Sequence, residues 1–137
     1  MQSMRVLVVA SVMLVLATAS AYAASEWLKG STDEKLKTLA EIQPGLGTVM
    51  IEYATRFTNA YYAAKGGNWD LAGYMLKEAG EIQEVGETTR PERAAGLKAF
   101  ENAYLGPLNE AVKAKDLKKF ESAFKNGIQG CNGCHAA

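Results

Sequence analysis

Two thiols and one imidazole stand together at the end of this chain, in Gly130-Cys131-Asn132-Gly133-Cys134-His135-Ala136-Ala137. They are both of the cysteines and the only histidine among 137 residues. On a helix, Cys131 and Cys134 stand at i and i+3 and project the same way. His135, at i+4 from Cys131, lies on the same general face. This is the C-x-x-C-H pattern of covalent haem attachment. The thiols add across the two haem vinyl groups and become thioethers, and the adjacent histidine reaches the iron as the proximal axial ligand. The rival chemistries are weaker. A thioredoxin-like redox pair would sit in a βαβ context, and no strand pattern is visible. A structural zinc site needs four N or S ligands, and these three residues are all the chain supplies. A disulfide across three residues would staple no distant parts of a fold.

The compartment follows from the other end. Arg5 precedes an apolar run from Val6 to about Ala17 and the small-residue site Ala21-Tyr22-Ala23. That is the three-part pattern of an export signal, with cleavage expected after Ala23. An uncleaved anchor is the alternative, but the run is short for a bilayer span. Residues 1–23 are therefore read as a signal peptide and 24–137 as one exported domain, in a bacterial periplasm. C-type haem proteins are assembled in that compartment, so signal and motif reinforce each other.

Charge narrows the partners. The chain carries 15 basic and 15 acidic residues, and loss of the segment containing Arg5 leaves 14 and 15. A balance this close to neutral argues against nucleic acid and against a polybasic membrane patch. No later segment is apolar enough to span a membrane, so no span is expected after processing.

The elements that must position the motif read as helices throughout, each with apolar residues at i, i+3, i+4 and i+7. The first strong one starts near Pro44 and carries Leu46, Val49, Met50, Tyr53, Phe57, Ala60, Tyr61 and Ala64, ending at Gly66-Gly67. The second is capped by Asn68 and carries Ala72, Met75, Leu76, Ala79, Ile82 and Val85. The third begins at a Thr89/Glu92 capping box, with Leu97, Phe100, Tyr104, Leu108, Ala111 and Val112, and Pro107 should kink it. The fourth, from about Asp116 to the end, aligns Leu117, Phe120, Phe124, Ile128 and Cys131. Upstream, Ser31 and Glu34 form a capping box for a short extra helical piece, separate or sharply bent at Pro44. Short connections predict an all-α, antiparallel up-down-up-down four-helix bundle with a short N-terminal helical segment.

The motif, its C-terminal location and the helical layout of nearly the whole mature chain resemble the class II cytochromes c, which include cytochrome c′ and its low-spin relatives. The resemblance implies a four-helix bundle with one covalent haem c near the end of the fourth helix. It implies a homodimer through the first and second bundle helices, and redox partner proteins of unknown identity. Two departures point to a divergent branch. The sequence stops at Ala137, where family members often continue with a basic residue, and it has a long piece before Pro44.

The remaining question is the distal side of the iron. With one histidine, bis-histidine ligation within the chain is impossible. In an up-down bundle the end of the fourth helix lies beside the start of the first, which places Met50 at the haem end. Met75 lies on the order of 15 Å away at 1.5 Å per residue, so it is read as core. The resemblance agrees, since low-spin relatives use a methionine of the first helix. Met50 is thus the candidate distal ligand, against a Met50 packed beside an open iron or a less usual ligand such as Lys. Tyr53 and Phe57 are expected to pack the haem pocket, and Arg56 to be solvated. Electron transfer by a His135/Met50-ligated haem is the function these residues favour. The alternative is a five-coordinate, cytochrome c′-like binder of NO or CO. Enzymatic chemistry is disfavoured, because no distal histidine could act as acid and base.

Overall fold

The computed structural model describes residues 28–136, all of whose regular structure is helical. The export signal expected at residues 1–23 lies outside the described residues. The chain divides into two compact units, Met1–Gln43 and Pro44–Ala137.

In the first unit, α1 spans Thr32–Glu41. The capping box expected at its start is formed: Ser31 N–H donates to Glu34 Oε2 at 2.7 Å, and Glu34 N–H donates to Ser31 Oγ at 3.3 Å. The bond from Ser31 N–H, with another from the Ser31 hydroxyl to the same Oε2 at 2.8 Å, holds the Glu34 carboxyl below its ordinary range. Two donors that a helix start leaves unpaired are thereby satisfied.

The second unit opens with α2, Leu46–Lys65, whose N-cap is Gly45; Pro44 lies just outside the first turn. A three-residue turn leads to α3, Trp69–Thr89. Here Gly67 adopts φ +78°, Gly67 N–H donates to Ala64 O at 2.9 Å and Asn68 N–H to Ala63 O at 2.8 Å. This pair of bonds is a Schellman closure, which needs a left-handed residue and so suits glycine. Asn68 Oδ1 then accepts from Leu71 N–H at 3.1 Å and starts the next helix.

The third stripe is broken more finely than its sequence suggests. It comprises α4 (Pro91–Phe100), a π-helical turn (Glu101–Leu105) and α5 (Gly106–Lys113). The Thr89/Glu92 box does not form. Thr89 is the last residue of α3 and its hydroxyl donates to Val85 O, while Arg90 takes the cap position. The π turn has a cause in Pro107, which lacks an N–H and would press on the carbonyl four residues earlier; widening the preceding turn relieves both. It also shifts the inward face, so that Leu105 is buried and Tyr104 only partly so. Lys115, at φ +51°, closes α5 in the same manner as Gly67 closes α2. Asp116 Oδ1 accepts from Lys119 N–H at 3.0 Å at the start of α6, Leu117–Ala136.

α2 packs along α3, which also meets α4 and α5, while α6 packs on α5 and α2. The core they share includes Phe57, Leu76, Leu108 and Phe120. Each large side chain fully buried there contributes about 1.5–3 kcal/mol. Inward positions differ from the expected stripe in α3, where Gln83 and Gly86 are buried and Val85 is exposed. Gly86 accommodates Leu46 and Val49, both 3.1 Å from where a Cβ would stand.

Candidate cofactor site

α6 carries the Cys-x-x-Cys-His motif through its final turns as a helix. Its approach to the other helices depends on small residues. A Cβ on Gly127 would stand 2.8 Å from Phe57 Cζ, and one on Gly130 would run into the Tyr104 ring. Aromatic rings sit where these side chains would be, so α6 lies close to α2 and to the π turn. Phe57 is further locked between Phe124, at 4.6 Å between centroids, and Tyr53, at 5.8 Å.

Above this layer lies a cavity of about 290 Å³. α2 lines it with Met50, Tyr53 and Phe57, and α6 with Ile128, Cys131, Cys134 and His135. Leu97 and Phe100 of α4 close another side. All six residues singled out in the sequence as site residues therefore face one space. Met75 packs on the core and Arg56 pairs with Glu52 at 2.7 Å; neither borders the cavity.

The wall is largely apolar. Cys131 is half-buried and Cys134 exposed, and both thiols are free. Burial pushes the Cys131 thiol above its ordinary value, and Cys134 adds in the same direction. His135 is exposed at the rim and Met50 is half-buried. Gln83 is the one buried polar side chain of the described core besides tyrosine; its Nε2 donates to Leu97 O and to Glu87 Oε1, each at 3.1 Å, tying α3 to α4. Tyr53 is 5% exposed, and its hydroxyl has no hydrogen-bond partner.

This donor set fits covalent haem. Two thiols and an imidazole project from one helix end, a thioether faces them from another helix, and the wall between is hydrocarbon. Among the described residues, no three His, Cys, Asp or Glu side chains are grouped to hold a metal ion by themselves. Sequence reasoning missed Gln83 and the π-shifted contact of Leu105. Gln83 could have been found, since it falls four residues after buried Ala79, a polar residue at an inward register.

No protein-family model, curated protein or solved structure matches this chain.

Proposed function

We propose that this protein is an exported monohaem c-type cytochrome, a divergent relative of the class II cytochromes c, which carries electrons to and from partner proteins. In this reading residues 1–23 are removed, the chain works in the periplasm, and α2, α3, α4–α5 and α6 form an antiparallel four-helix bundle. Cys131 and Cys134 hold haem c, His135 is the proximal ligand and Met50 the distal one. The observation that carries the reading is the shared cavity: a methionine of α2 lines the same apolar space as both thiols and the imidazole of α6.

Haem iron, when bound, supplies reversible one-electron chemistry. The chain's residues tune it. A thioether beside an imidazole favours ferrous iron and raises the potential. Phe57, Leu97, Phe100 and Ile128 give the cavity an apolar wall and lower its polarity. The interlocked rings of Tyr53, Phe57 and Phe124 restrict rearrangement of the wall between oxidation states. With the only histidine assigned to the iron, no distal histidine remains to act as acid and base, which favours electron transfer over enzymatic turnover.

Absorption spectroscopy of the purified holoprotein tests the assignment. A low-spin ferric form with the weak near-red band of methionine ligation, abolished by Met50→Ala, is the expected result. A high-spin spectrum that the substitution leaves unchanged, with rapid CO binding to ferrous protein, would establish the gas-binding alternative. Absence of covalent haem after expression with haem-attachment machinery would refute both.

A further inference from the structure

We infer that the Tyr53 hydroxyl donates a hydrogen bond to an anionic oxygen of the group held in the cavity and so fixes that group's orientation. The inference rests on the haem reading above and specifies a contact within it. Its ground is the one buried side-chain nitrogen or oxygen among the described residues that has no partner. Tyr53 is 5% exposed and its hydroxyl has no partner, a condition that folded chains rarely leave uncompensated.

The ring alone does not account for the residue. Tyr53 stacks on Phe57 at 5.8 Å and meets Phe100 edge-on at 6.0 Å, contacts that phenylalanine would make equally well without burying a hydroxyl. The other polar groups of the wall are already served. Both N–H groups of Gln83 are engaged with Leu97 O and Glu87 Oε1. Thr58, Asn132 and His135 are exposed and meet solvent. No lysine or arginine lines the cavity to take up negative charge. Burial keeps the phenol protonated, and the Glu101 carboxylate acts in the same direction. Tyr53 is therefore a donor, and an oxygen carrying negative charge is the acceptor that such a donor bonds most strongly.

Haem offers that chemistry in its carboxylates, since Met50 and His135 take both axial positions in the reading above. Tyr53→Phe in the haem-loaded protein tests the contact, with Thr55→Val as a control that removes an exposed hydroxyl of α2 from outside the cavity wall. Loss of the donor should favour ferric iron. The ferrous-to-ferric ratio at fixed poise is expected to fall about threefold or more, which is about 28 mV at 59 mV per tenfold for one electron, while Thr55→Val leaves it unchanged. If a carboxylate is the acceptor, its resonance Raman bending band moves and the spin-state bands do not. Spin-state bands that move while the carboxylate band does not overturn the inference. A Tyr53→Phe protein with full covalent haem and wild-type helicity, whose potential and both sets of bands match wild type, overturns the inference and leaves the haem reading intact. Equal shifts in both variants overturn it too. Failure of the unaltered chain to take up haem overturns the haem reading itself.

Discussion

Gly127→Ala tests whether the close approach of α6 to α2 depends on the missing side chain. The new methyl carbon would stand 2.8 Å from Phe57 Cζ and 3.6–3.7 Å from both Cε atoms. The ring is 2% exposed and stacked at 4.6 Å on Phe124, so it has little room to retreat. Overpacking of this kind costs about 1–3 kcal/mol. Alanine's better helix propensity offsets about 1 kcal/mol of that. Gly80→Ala in α3 supplies the reference, because a Cβ there meets nothing within 4 Å and only the propensity gain applies. The propensity effect cancels in the difference, so Gly127→Ala should be less stable than Gly80→Ala by about 1–3 kcal/mol. At about 4–8 °C per kcal/mol for a domain of this size, the two melting temperatures should differ visibly. Urea unfolding followed by helical circular dichroism gives the same difference from the midpoints. Two variants equal within about 0.5 kcal/mol would refute the close-packing argument, given the usual scatter of independent sites. Because Phe57 also lines the cavity, displacement of its ring should alter the haem spectrum in Gly127→Ala alone.

Lys115 holds φ +51° in the closure of α5, a conformation glycine adopts without a Cβ penalty. Lys115→Gly should therefore raise the melting temperature, by an amount equivalent to about 1 kcal/mol at most once glycine's greater freedom in the unfolded chain is counted. In protein prepared without haem, iodoacetamide should modify exposed Cys134 before half-buried Cys131, resolved by peptide mass spectrometry; equal rates would contradict the burial of Cys131. The same preparation should lose stability as pH rises past about 9.0, the thiol's ordinary value, because the unfolded thiol ionises first while the folded one resists; Cys131→Ser should flatten that slope in urea midpoints.

The parts legible in the sequence are those set by neighbours along the chain. The caps at Ser31 and Asn68 and the stop at Gly67 are bonds between residues a few positions apart, so their residue types announce them. The motif belongs to the same class, since Cys131, Cys134 and His135 share a helix face by spacing alone. Where two local signals competed, the sequence misled. Thr89 satisfied its hydroxyl backwards on Val85 O and left the cap to Arg90, a choice made by where α3 ends.

Tertiary structure decided everything that depends on which helix faces which. A regular period predicts Val85 and Tyr104 inward, whereas Gln83, Gly86 and Leu105 hold those places. Gln83 is buried because Leu97 O and Glu87 meet its amide, and Leu105 because the π turn before Pro107 rotates the face that follows. The cavity itself is a product of packing. Met50 borders it and Met75 does not, a placement that positions along the helices and short connections already implied. The sequence thus determined which atoms could bind a cofactor, through spacings of three and four residues. Only the fold decided that Gln83, Leu97 and Phe100 close the space around them, because facing surfaces are fixed by contacts between segments far apart in the chain.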